Sequence, residues 1–126
     1  MNYICHSGGC PGADMMWETE GREYGISTIA YSFHNHVHNS LNPKILTISE
    51  LREGFHAVKV AEKTLKRNVE SIPYPYVKNL LSRNWFQVKN SEAVFAVGML
   101  ESPHVVKGGT GWAVQMGIDS LKPIFI

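Results

Sequence analysis

Two stretches carry the residue types and spacing that could do chemistry: Ser7-Gly8-Gly9-Cys10-Pro11-Gly12-Ala13-Asp14 and Gly108-Gly109-Thr110-Gly111-Trp112. Glycine lets backbone approach an anion with no Cβ in the way. Each stretch runs into a helical pattern, and the first turn of a helix offers unsatisfied N–H groups and a partial positive charge. Together these features suit a phosphate group. No Gly-Lys-Ser/Thr follows either stretch, so neither is a P-loop, and neither has the six-residue dinucleotide spacing. The plain alternative is that the glycines make tight strand-to-helix turns.

Other polar residues have a functional and a plain reading. Asp14, in a first helical turn, either caps free N–H groups or accepts a ribose hydroxyl and orients the loop. Arg83 pairs with a phosphate or with a surface carboxylate. His34, His36 and His38 alternate, so an extended segment would put them on one face. No Cys or carboxylate cluster completes a metal site there, and no metal is expected. His34, nearest the preceding strand, is the one expected to reach a ligand. Cys10 sits beside a helix N-terminus that can lower its pKa. As a nucleophile it would need a histidine, for which His6 is the candidate; otherwise it is a small loop residue. Cys5 reads as core. Trp85 reads as a core anchor, and Trp112 either flanks a base or packs on the sheet.

The elements that must position these residues follow from changes of apolar period. Tyr3 to His6 is a short strand, and Ala13 to Tyr24 is helical with Gly25 as its stop. Ile26 to Tyr31 is a second strand, and Phe33 to Pro43 a loop. Thr47-Ile48-Ser49-Glu50 has capping-box spacing, followed by Leu51, Phe55, Val58, Ala61 and Leu65 on one helix face. Gly54 weakens that helix by about 1 kcal/mol relative to alanine. Pro73-Tyr74-Pro75 breaks the chain before another helix from Tyr76. Ala93 to Val97 is apolar throughout, the pattern of a strand buried on both faces. Residues 99–107 read as a loop, Trp112 to Asp119 as a short helix, and Ile124 to Ile126 as a last strand. Strands alternating with helices predict an α/β fold with both glycine loops at one edge of a mainly parallel sheet.

Composition sets the outer limits. The 126 residues are 44% hydrophobic and 18% charged, which fits one globular domain over 1–126. A formal charge of +1 lacks the basic excess of a nucleic-acid binder, so nucleic acid is disfavoured as a partner. The basic excess that exists lies in residues 49–92, a solvated helix face. No apolar run approaches the roughly 20 residues of a membrane span. Residues 1–5 have no basic region and no apolar core, so no signal peptide is expected. Two cysteines too close together to staple a domain favour a reducing, cytoplasmic setting.

The segment Ser7-Gly8-Gly9-Cys10-Pro11-Gly12-Ala13-Asp14, closing on Gly108-Gly109-Thr110-Gly111-Trp112, resembles the SLOG superfamily. That group includes DNA-processing Rossmann proteins, LOG phosphoribohydrolases and sensor domains for ADP-ribose-type signals. The resemblance runs from the Tyr3 strand to the Ile124 strand and is nearest the small stand-alone branch. It implies a Rossmann-like three-layer sandwich with a mainly parallel sheet of four or five strands. It also implies a nucleotide-derived ligand, of ADP-ribose or cyclic ADP-ribose type, held across both loops. The ligand residues would be Ser7, Gly8, Gly9, Gly12, Ala13, Asp14, His34, Arg83, Gly108, Gly109, Thr110, Gly111 and Trp112, with no cofactor. A homo-oligomer paired through helices beside the sheet is implied as well, a view to which the chain's many aromatic residues, Trp17 among them, also lead.

The departures from the family matter equally. LOG enzymes carry Pro-Gly-Gly-x-Gly-Thr and then x-Glu-Glu, whose acidic pair contributes to catalysis. Here Lys107 stands at the proline position, Trp112 at the threonine, and Val114 and Gln115 at the glutamates. The expectation is therefore a protein that sequesters or senses its ligand without turnover, as a phage or a bacterial defence locus would encode. The alternative is a small hydrolase, a phosphoribohydrolase-like N-glycosidase, drawing on Asp14, Glu18 or Glu101.

Overall fold

Strands and helices are interspersed from Ile4 onward in a computed structural model that describes residues 2–126. Strand β1 (Ile4–Ser7) leads through the first glycine loop into α1 (Ala13–Glu23), and β2 (Ser27–Ser32) follows. Gly25 between them has φ +72°, the left-handed turn that glycine adopts without strain. Strand β3 (Pro43–Ile45) lies in what reads as the end of a loop, because only three residues pair. Helix α2 (Ile48–Leu65) begins at the capping box: Glu50 N–H donates to Thr47 Oγ1, and Thr47 N–H donates to Glu50 Oε1. Lys66 closes it in the left-handed conformation. Helix α3 (Pro75–Lys89) starts on its proline, whose missing N–H costs nothing in a first turn. Strand β4 (Val94–Phe95), the hairpin β5 (Leu100–Ser102) and β6 (Val105–Val106), helix α4 (Gly108–Asp119) and β7 (Ile124–Phe125) complete the chain.

The fold is mixed α/β with mostly parallel strands, divided differently from the sequence expectation. β1, β2 and β3 form one parallel ladder, with Cys5 opposite Thr28 and Tyr31 opposite Lys44. β4 and β7 form a separate parallel pair, and β5 and β6 pair antiparallel. Among the described residues no ladder joins β1 to β4. The apolar run at Ala93 to Val97 is also not buried on both faces: Phe95 is 61% exposed, and Val97 is exposed too. Among the described residues β7 is the one strand hydrogen-bonded to it, and Phe95 stacks on Phe125, which is also exposed.

The main core is helical. Val58 and Ala61 of α2, Leu81 and Val88 of α3, and Trp112 and Met116 of α4 pack around Val69. Gly54 explains its own presence in α2, since a Cβ there would overlap the Ser82 carbonyl of α3, so the two backbones cross in close contact. A smaller cluster of Tyr31, Leu46 and Phe86 joins α3 to the first ladder. α3 is thus the element that reaches both the helical core and the glycine loop. No described helix is long and apolar enough to cross a membrane.

Candidate functional site

Ser7, Gly9, Cys10 and Asp14 of the first glycine loop are each held by hydrogen bonds. Ser7 Oγ donates to Glu18 Oε2 at 3.0 Å, and Ser40 Oγ donates to Glu18 Oε1 at 2.7 Å, so two hydroxyls satisfy a carboxylate that is 1% exposed. Gly9 N–H donates to Ser7 Oγ, and Asn39 N–H donates to the Gly9 carbonyl. Gly9 has φ +70° and faces Ala30 and His38, while Gly12, at φ +100°, opens to empty space. Asp14 does not cap its helix. Its Oδ2 accepts the Cys10 N–H at 3.2 Å and closes the loop instead. Ala13 opens α1, whose first turn has no side-chain cap.

Arg83 reaches this loop from α3. The residue is 5% exposed, and its guanidinium lies where a Gly8 side chain would stand. Nη1 donates to Gln87 Oε1 at 2.9 Å, Nη2 donates to Cys10 Sγ at 3.4 Å, and Nε has no partner. Asp14 is the one described carboxylate within ion-pair range, at 3.9 Å. A buried cation with so distant a counter-charge is costly unless something else compensates it. Arg83, which the sequence marked separately, therefore forms one cluster with Gly8 and Asp14 of the first stretch.

The histidine in this cluster is His36. Its Nε2 lies 3.3 Å from Cys10 Sγ, and its Nδ1 lies 2.7 Å from Ser32 Oγ. Burial first, then the Arg83 and His38 charges, lower its pKa to about 4 against a small opposing effect of Asp14, so the ring is neutral near pH 7. His34, the residue expected to reach a ligand, is exposed and stands outside this cluster, where His36 is buried. The physical reason is Asn35, whose φ of +67° turns the chain and breaks the alternation. His6 is likewise not the partner of Cys10: its Nδ1 faces the Tyr31 hydroxyl at 2.9 Å. Burial pushes the Cys10 thiol up, and the Arg83 charge beside it only partly offsets this.

The second stretch is not a loop. Gly108 already begins α4, so Gly108, Gly109, Thr110 and Gly111 are its first turn. Gly108, Gly109 and Thr110 are exposed, α4 has no side-chain cap, and a Cβ at Gly109 would meet nothing. Gly111 is buried, because the Val106 carbonyl occupies the place of a side chain. Trp112 belongs to the helical core at 6% exposure, and Arg67 covers its ring at 5.7 Å. Arg67 also donates to the Val106 and Gly108 carbonyls. Val114 and Gln115 are buried as well, with Gln115 Nε2 donating to Asp119.

No described hydrogen bond or ion pair links the Ser7–Asp14 segment to Gly108–Trp112. Two open concavities lie elsewhere: one of about 370 Å³ beside Glu18, Arg22 and Thr28, and one of about 400 Å³ beside Glu53, Trp85 and Asp119. No group of three or more described His, Cys, Asp or Glu residues is placed to hold a metal. Comparison with protein-family models, with curated proteins and with solved structures returns no match.

Proposed function

We propose that the protein binds a nucleotide-derived small molecule, of ADP-ribose or cyclic ADP-ribose type, and holds it without turnover. One observation carries this reading: Arg83 is buried against Gly8 with an unpartnered Nε and a carboxylate no nearer than 3.9 Å. A phosphate is the group that such a guanidinium takes with matching geometry. The loop amides contribute less than the sequence implied, because Ser7 and Asp14 already use the N–H groups of Gly9 and Cys10. The uncapped first turns of α1 and α4 supply further donors.

The same reading joins the two parallel ladders into one Rossmann-like sheet, with both glycine segments at its edge. It also makes the protein a cytoplasmic homo-oligomer. Binding without turnover is supported by the side chains at the LOG acid positions: Val114 cannot ionise, and Gln115 is tied to Asp119. A cradle that holds substrate and product alike lowers KM without raising kcat.

The test is native mass spectrometry of freshly purified protein for a co-purified nucleotide, followed by thermal-shift titration of ADP-ribose, cyclic ADP-ribose isomers and nucleoside monophosphates. Ligand raises Tm by mass action. Arg83→Gln removes the shift. Gly109→Val is tolerated by the fold, since open space surrounds the position, and it removes the shift only if α4 touches ligand. A flat panel overturns the reading, and catalytic release of free base or ribose phosphate favours the hydrolase.

A further inference from the structure

We propose that Cys10 is a site of covalent modification by small disulfides that carry carboxylates, with His36 taking the thiol proton and Arg83 drawing the anion to the sulfur. This rests on the Cys10–His36–Arg83 contacts and holds whether or not a nucleotide binds.

A nucleophilic thiol needs an acceptor for its proton and a group that orients the acceptor. Cys10 Sγ is 3.3 Å from His36 Nε2, and Ser32 Oγ meets Nδ1 on the other side of the ring. Phe33 stacks on that ring at 4.7 Å and fixes its plane. Sγ accepts from Arg83 Nη2, so the thiol hydrogen is free to point at Nε2. Burial keeps the sulfur protonated and the imidazole neutral at rest, so the proton must leave during attack; Nε2 can receive it in the tautomer whose Nδ1–H donates to Ser32 Oγ. Cys10 itself is partly exposed, unlike the buried Arg83 and His36 beside it.

Charge selects the class of reagent. Arg83 contributes a buried cation against the sulfur, with Asp14 as the opposing carboxylate. Cys5 is the internal contrast, since burial raises its thiol and the neighbouring Glu18 and Asp14 charges raise it further. An anionic disulfide is therefore drawn to Cys10 and not to Cys5.

The step balances as thiol–disulfide exchange. The Cys10 proton moves to His36 Nε2 as the sulfur attacks one sulfur of the reagent. A new S–S bond forms, the old one breaks, and the departing thiolate keeps the electron pair and takes the proton from His36. The disulfide is the oxidant, and the products are one mixed disulfide and one free thiol.

The experiment uses the full chain carrying Cys5→Ser. Its rates with dianionic 5,5′-dithiobis(2-nitrobenzoate) and with neutral 4,4′-dithiodipyridine at pH 7 are each divided by the rate for a free cysteine amide. The expected result is a preference for the dianion of about tenfold, since a focused positive charge raises on-rates by that order. Inorganic phosphate, compared with chloride at equal ionic strength, slows the dianion alone. His36→Gln slows both reagents about tenfold or more, and Arg83→Lys keeps the charge preference that Arg83→Gln loses. Mass spectrometry finds the adduct on Cys10. Equal relative rates for the two reagents, no effect of phosphate, or unchanged rates in His36→Gln would overturn the proposal. If a variant does not fold, the charge preference and the phosphate competition decide it alone.

Discussion

Arg83 and Gly8 occupy each other's space: the guanidinium fills the position a Gly8 side chain would take, 75 residues away along the chain. Alanine at position 8 must displace side-chain ends, the Arg83 guanidinium and the Asp14 carboxylate oxygen, and no backbone. The expected stability loss is therefore small, about 1 kcal/mol at the low end of overpacking. The contact of Arg83 with Cys10 is lost, and with it the thermal shift produced by ADP-ribose. Thermal melts of Gly8→Ala with and without ligand check both parts.

Asp14 competes with any incoming anion, because its carboxylate already accepts the Cys10 N–H and faces Arg83. Asp14→Asn keeps the shape and removes the charge. Its affinity for inorganic phosphate is expected to rise about tenfold, a conservative value for deleting a like charge at this range. Calorimetric titration at fixed ionic strength reads it, and a weaker affinity would instead make Asp14 a direct ligand contact.

His36 makes stability depend on pH. Its pKa falls from 6.5 to about 4 on folding, so the unfolded chain takes up the proton first. Stability from this group is complete above pH 6.5 and is lost as the pH drops from 6.5 toward 4. The loss is of order 3 kcal/mol at most. Urea melts across that window should show the slope, and His36→Gln should flatten it.

Gly54 faces backbone, and backbone cannot swing aside. Alanine there gains about 1 kcal/mol in helix propensity, yet it meets the Ser82 carbonyl at the α2–α3 crossing. Overpacking of this kind costs about 3 kcal/mol when nothing yields. A net loss in the urea midpoint is expected, and a more stable Gly54→Ala would show that the helices can part.

Local chemistry was readable in the sequence, and long-range contact was not. The Thr47–Glu50 box and the Gly25 stop depend on neighbours within a few residues and stand where the pattern placed them, while the helix expected from Tyr76 takes in Pro75 as its first residue. The alternating histidines misled because period two holds only in extended chain, and Asn35 is not extended. The apolar run at Ala93 to Val97 misled because composition does not say how many faces a neighbour covers. Gly108 to Gly111 read as a loop because glycine is a poor helix former, although Gly111 is needed where the Val106 carbonyl presses on α4. Nothing along the chain signals that Arg83 lies on Gly8, since that contact is made by folding.

The two parallel ladders are tied through α3 rather than to each other, and Lys122 is part of the tie: its ammonium donates to the Val88, Lys89 and Ser91 carbonyls at the end of that helix. Such an arrangement divides the protein into units that can open separately. Amide hydrogen exchange should resolve them. The Val94 and Ala96 amides, bonded to Pro123 and Phe125 beneath an open aromatic face, should exchange through a local opening. The Ala30 amide, inside the first ladder, should wait for a larger one. Lys122→Ala should speed the first group and leave the second unchanged, so that the end of the chain breathes while the glycine loop stays shut.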